Sequence, residues 1–120
     1  MSPRRRKPSL QQFPMLVRRD VVVFPRVMGQ VMVFRPIFQR AVDEAMAGDR
    51  QIVVVGRRNR EERDFTPEDL YTVGTLATVN RVMRLPDGTA SVVLEGFRRV
   101  SIESVMETDP FYRGSVLALE

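Results

Sequence analysis

Residues 70–95 read LYTVGTLATVNRVMRLPDGTASVVLE, and this stretch decides the fold. Residues 70–85 form a long segment rich in Val, Thr and Leu, which suits an extended strand. Pro86-Asp87-Gly88 supplies the turn, and residues 89–95 return beside the first strand. Gly74 leaves room for a second backbone to approach closely. The result is a long antiparallel hairpin that other strands can join.

Toward the C-terminus, Gly96 interrupts the returning strand and residues 97–105 continue it. Asp109-Pro110 breaks the chain before a last strand over residues 111–119. Upstream of the hairpin, Thr66-Pro67-Glu68-Asp69 has the order of a helix start, with Thr66 capping, Pro67 in first position and an acid three residues after the cap. One short turn is expected there. Residues 57–64 alternate in charge and read as a solvated loop, preceded by a strand over residues 51–55.

The helix is expected at residues 36–47. Pro36 suits its first position, and Gly48 suits a left-handed residue just past its end. Ile37, Ala41 and Ala45 fall on one stripe, with Phe38, Val42 and Met46 beside them, while Arg40, Asp43 and Glu44 face away. Before it, residues 27–34 read as a strand kinked or bulged at Gly29 and Gln30. The apolar run Val21-Val22-Val23-Phe24 reads as a segment buried on two faces and ended by Pro25, and residues 13–19 read as the first strand. About seven strands to one helix make the chain mainly β: a twisted, partly closed, mostly antiparallel arrangement with an amphipathic helix covering one opening.

Composition narrows the chemistry. The chain has 120 residues, 43% of them hydrophobic, which is enough for one core. It contains no His and no Cys, and its single lysine is Lys7. A Ser-His-Asp triad, a Cys nucleophile and the usual zinc ligand sets are therefore excluded, as is the phosphate loop G-x-x-x-x-G-K-[ST]. A Ser-Lys dyad needs a desolvated lysine, whereas Lys7 sits in the polar run Arg4-Arg5-Arg6-Lys7. The carboxylate pairs Glu61/Glu62 and Glu68/Asp69 lie in charged, turn-rich sequence, a poor setting for acid/base work.

Four of the 19 basic residues lie in that terminal run, so the rest of the chain balances its 15 acidic residues. Residues 1–12 read as a basic, disordered arm on a formally neutral body, residues 13–120, and nucleic acid is not an expected partner. No apolar stretch is long enough to cross a bilayer, and the basic N-terminus lacks the apolar run of a signal peptide. A cytoplasmic home is the expectation.

Several segments resemble the N-terminal domain of Lon-type ATP-dependent proteases. They are Phe13-Pro14-Met15-Leu16-Val17-Arg18-Arg19-Asp20-Val21-Val22-Val23-Phe24-Pro25, Ala41-Val42-Asp43-Glu44-Ala45-Met46, Thr66-Pro67-Glu68-Asp69-Leu70-Tyr71-Thr72-Val73-Gly74-Thr75-Leu76-Ala77, Leu85-Pro86-Asp87-Gly88-Thr89 and Val93-Leu94-Glu95-Gly96-Phe97-Arg98-Arg99. Their order and spacing carry the resemblance over residues 13–119. It implies a PUA-like pseudobarrel of small twisted sheets with one helix. It also implies recruitment of unfolded, damaged or tagged protein substrates and support of hexamer assembly. ATP, Mg²⁺ and the Ser-Lys peptidase would belong to downstream domains, with no cofactor in this chain. The family's helical extension is absent, as in a truncated chain or a stand-alone adaptor, and a PUA-like nucleic-acid module is the competing reading.

The chain departs from the family at Arg26, where glycine is usual, at Gln30, where proline is, and at Phe34-Arg35-Pro36-Ile37-Phe38, where only Arg35 is kept. The candidate binding surface is accordingly the strand-to-helix junction. Phe34, Ile37 and Phe38 would be its apolar contacts, with Arg35 and Arg40 as a polar rim. Ile37 and Phe38 stand about 100° apart on a helix, so a stripe packed on a sheet cannot bury both along with Phe34. The composition predicts that the purified 120-residue chain turns over neither ATP nor a peptide. Coupled ATPase and fluorogenic peptide assays check this, and turnover that co-purifies with the chain would contradict it.

Overall fold

A computed structural model describes residues 10–18, 25–58 and 66–119. The elements run β1 (Gln11–Arg18), β2 (Met28–Val33), α1 (Pro36–Ala47), β3 (Gln51–Gly56), a single 3₁₀ turn (Pro67–Asp69), β4 (Val73–Arg84), β5 (Ala90–Glu107) and β6 (Arg113–Ala118). The apolar run Val21-Val22-Val23-Phe24, residues 1–9 of the arm and Glu61/Glu62 lie outside the described residues.

The hairpin forms where expected. Gly88 has φ +91°, a backbone region that L side chains resist. Its N–H donates to the Leu85 carbonyl at 3.0 Å, and the Asp87 carboxylate accepts from the Thr89 hydroxyl at 2.7 Å and the Thr89 N–H at 3.0 Å. The Thr89 hydroxyl, then the Thr89 N–H, hold the Asp87 carboxyl below the usual carboxylate range. From this turn β4 and β5 pair antiparallel from Arg84↔Ala90 to Val73↔Ser101, with register shifts that leave Asn80 and Phe97 as extra residues. Such bulges bend a strand and increase its twist.

That bending lets the 18-residue β5 serve three neighbours. Its first part pairs with β2, its length with β4 and its last part with β6. Hydrogen bonding continues through β4–β3, the parallel pair β1–β3, and β1–β6, so β5, β4, β3, β1 and β6 form a closed ring with β2 as a wing on β5. The expectation of a partly closed arrangement is thus corrected to full closure. Gly96 does not split the returning strand, because the extra residue Phe97 absorbs the irregularity. Paired residues share a face, so the register directs Phe13, Met15, Val53, Leu76, Val100 and Val116 into the lumen. Leu16, Ile52, Val54 and Ala77 lie on the opposite face, and α1 packs on β1, β3 and β4.

Within α1, Phe38, Ala41, Val42 and Ala45 are buried and Ile37 and Met46 partly so, while Arg40, Asp43 and Glu44 are exposed. The helix ends at Ala47 as expected, but Gly48 is not left-handed (φ −111°). Arg50 carries the positive φ, 67°, and its N–H donates to the Ala45 carbonyl at 2.8 Å; Asp49 then accepts the Gln51 N–H at 3.0 Å. The reversal therefore comes two residues late, at the entry to β3.

Three further expectations shift. β2 pairs residue for residue from Met28↔Glu95 to Val33↔Ala90 without a bulge, since the sheet takes its bends in β4 and β5 instead. β1 starts at Gln11, with Gln11 and Gln12 paired to Val116 and Ser115, so the first strand begins two residues before the expected Phe13. Arg57 is buried and bridged to Leu70 rather than solvated, its N–H donating to the Arg18 carbonyl at 3.1 Å. The acid three residues after Thr66 closes the turn: the Thr66 N–H donates to the Asp69 carboxylate at 2.9 Å. Among the described residues no helix is long and apolar enough to cross a membrane.

Gly74 is where the ring tolerates no side chain, because a Cβ there would stand 2.8 Å from the Val54 carbonyl oxygen. Gly74→Ala should cost about 1–3 kcal/mol of stability through overpacking. At Gly29 a Cβ meets nothing within 4 Å, so Gly29→Ala should stay within about 0.5 kcal/mol of the parent. Urea unfolding of both variants checks the contrast.

Candidate functional site

The strand-to-helix junction does not present its five expected residues as one surface. Phe34, just past β2, is 65% exposed, and Ile37 is half-buried. Phe38 is only 4% exposed and packs its ring at 5.7 Å from that of Tyr112. As a surface contact Phe38 is therefore a misplacement, because its helical position points at the core. The Arg35 guanidinium lies over the Phe38 ring at 5.5 Å. Arg40 is exposed, yet its Nε donates to the Pro110 carbonyl at 2.7 Å, bracing the helix against the segment before β6.

Polar contacts fix this junction from behind. The Gln39 side-chain amide donates to the carbonyls of Val33 at 3.1 Å and Gly88 at 2.9 Å. Arg84 donates to the Gln39 side-chain oxygen and forks onto both oxygens of Asp43 at 2.7 and 2.6 Å. The helix is thereby tied to the hairpin turn. Of the junction's apolar residues only Phe34 is openly offered to solvent.

A broader apolar surface lies next to it, on the outer face of β2, β5 and β4. In β2 the alternation sends Val31 and Val33 into the core, while Met28, Gln30 and Met32 line the other side. Met28 pairs with Glu95, Gln30 with Val93 and Met32 with Ser91; across β5, Val93 pairs with Arg81 and Ser91 with Met83. One face thus carries Met28 (61% exposed), Met32, Val93 and Met83 (47% exposed). Gln30, whose side chain donates to the Ser91 hydroxyl at 2.6 Å, stands among them with Arg81 and Glu95. Phe34 follows Met32 by two residues, the spacing of one side of an extended chain. The separation of the Met and Val residues of β2 onto two faces follows the period-two alternation of residues 28–33.

This face offers flexible, polarisable side chains on a shallow support, suited to apolar partners of varied shape. Of the carboxylate pairs considered for acid/base work, the one within the described residues sits in an exposed turn, where Asp69 accepts the Thr66 N–H and Glu68 is exposed beside it. Among the described residues no group of three His, Cys, Asp or Glu could hold a metal ion.

Residues 12–120 match the family described as the ATP-dependent protease La (LON) substrate-binding domain. The chain is 40% identical over 114 residues to a Lon protease of Xanthomonas oryzae pv. oryzae, covering 95% of this chain and 13% of that protein. It is 40% identical over 101 residues to a Lon protease of Azospirillum brasilense, covering 84% of this chain and 12% of the other. In fold it is similar to the N-terminal domain of Mycobacterium avium complex Lon protease, with TM-score 0.65, 22% identity and coverage of 92% of this chain and 54% of that one. A Lon N-terminal domain protein from Xanthomonas campestris gives TM-score 0.69 and 17% identity, covering 92% of this chain and 60% of the other. The mostly β ring with one helix agrees with both. The chain belongs to the family of Lon substrate-binding domains.

Proposed function

We propose that this chain captures exposed apolar segments of unfolded or damaged polypeptides for a Lon-type ATP-dependent protease. The observation that carries this reading is the outer face on which Met28 and Met32 of β2, Val93 of β5 and Met83 of β4 stand beside Gln30, Arg81 and Glu95. An unfolded chain presents scattered apolar groups and a solvated backbone. A recruiter for it needs an adaptable apolar face with polar groups beside it, and methionine supplies adaptability at little strain. The family description as a substrate-binding domain supports the same reading.

The chain spans 13% and 12% of the two relatives described, so peptide cleavage and ATP hydrolysis are assigned to other parts of a parent protein. There ATP, Mg²⁺ and a Ser-Lys peptidase would act, in the cytoplasm. Capture by one domain should be weak, micromolar or poorer, at about −8 kcal/mol. Several copies in a hexamer would raise it by avidity.

The double substitution Met28→Ser/Met83→Ser should weaken binding of reduced, carboxymethylated α-lactalbumin by about tenfold or more, as read by fluorescence anisotropy. Its thermal midpoint should stay near the parent's, since both side chains face solvent. Phe34→Ser should weaken capture to a smaller extent. Phe38→Ser should instead lower stability by about 3 kcal/mol or more, as loss of a buried ring. Unchanged capture by the double variant would move the binding surface elsewhere.

A further inference from the structure

At one end the β ring is open. The lumen residues Phe13, Leu76, Val100 and Val116 floor a cavity of about 190 Å³ whose rim carries Gln11, Gln51 and Arg98. The bulge places Phe97 at the same mouth, mostly exposed, with the Arg98 guanidinium 5.5 Å from its ring centroid. Arg98 makes no ion pair among the described residues. An unpaired guanidinium and two amide side chains thus surround a hollow that apolar side chains floor.

We propose that this mouth binds the carboxyl-terminal residue of a polypeptide, with its apolar side chain in the hollow and its α-carboxylate on Arg98. The assignment rests on the reading of the chain as a polypeptide-binding domain. A cavity of about 150 Å³ accepts benzene, so the hollow fits one Leu- or Phe-sized side chain and no longer apolar group. A guanidinium fork matches a carboxylate with two parallel hydrogen bonds. The amides of Gln11 and Gln51 each offer a donor and an acceptor for the last peptide unit. Strands from all sides of the ring wall the hollow, so a chain enters end-first, and the α-carboxylate sits two bonds from the side chain's first carbon. Charge complementarity and size therefore select the same occupant.

The test uses the 120-residue chain and fluorescein-labelled Gly-Ser-Gly-Ser-Phe, as free acid and as C-terminal amide, with unlabelled N-acetylphenylalanine as competitor. The acid should bind about tenfold or more tightly than the amide. Arg98→Gln should erase that difference. Ala118→Phe, at an exposed rim position, should block the acid peptide while leaving the thermal midpoint unchanged. Equal affinity for acid and amide, an acid peptide that does not bind, or indifference to both substitutions would overturn the proposal. N-acetylphenylalanine, which carries the side chain, the α-carboxylate and the last peptide unit, should compete at close to the peptide's own affinity, and failure to compete would also overturn the proposal. Carboxymethylated α-lactalbumin is titrated in parallel. If it is captured while acid and amide bind alike, this proposal fails alone; if it is not captured, the polypeptide-binding reading fails as well.

Discussion

Everything in the fold depends on one strand having to satisfy three neighbours. A flat strand of 18 residues would run past its partners and leave both ends as open edges. In β5 the extra residue Phe97, together with Asn80 in β4, turns the strand so that its far half meets β6. Once that contact is made, β1 and β3 close the ring between β6 and β4, and a small β domain without cysteine acquires a lumen core. Gly74 belongs to the same constraint: where β4 crosses close to the β3 backbone, a methyl group has no space.

Closure also creates the surfaces available for binding. The near half of β5 is left outside the ring, where it carries β2 and forms a three-stranded wing. One side of that wing contributes Val31, Val33, Val92 and Leu94 to the core, and the other side faces solvent. Its methionines are therefore exposed because the sheet has no second layer there. The bulge that closes the ring also sets Phe97 and Arg98 at its open end, so one irregularity in β5 shapes both the wing and the mouth.

Elements carried by local signals were legible in the sequence. The Asp87-Gly88 turn, the Thr66 to Asp69 cap and the span of α1 from Pro36 to Ala47 all rest on residues within one or two turns of each other. Pairings across long separations were not legible: the parallel pair β1–β3, the β5–β6 contact and the placement of Arg57 opposite Leu70 depend on register. Helix-end geometry was misjudged because glycine permits a left-handed conformation without requiring it, and Arg50 took that role. At the candidate site the reasoning that one of Phe34, Ile37 and Phe38 must be exposed holds for Phe34. Its neighbours were out of reach, since Phe38 meets Tyr112 and the methionine face assembles from three strands spread over residues 28–95.

The most direct measurement of substrate capture is methyl NMR of the chain labelled at methionine, titrated with reduced, carboxymethylated α-lactalbumin. The seven methionines include Met15, sealed in the lumen, and Met106, exposed near the far end of β5. Binding at the wing predicts that the Met28, Met32 and Met83 methyl resonances shift or broaden together while Met15 and Met106 stay in place. Perturbation of Met106 with the three wing methionines unmoved would contradict the account.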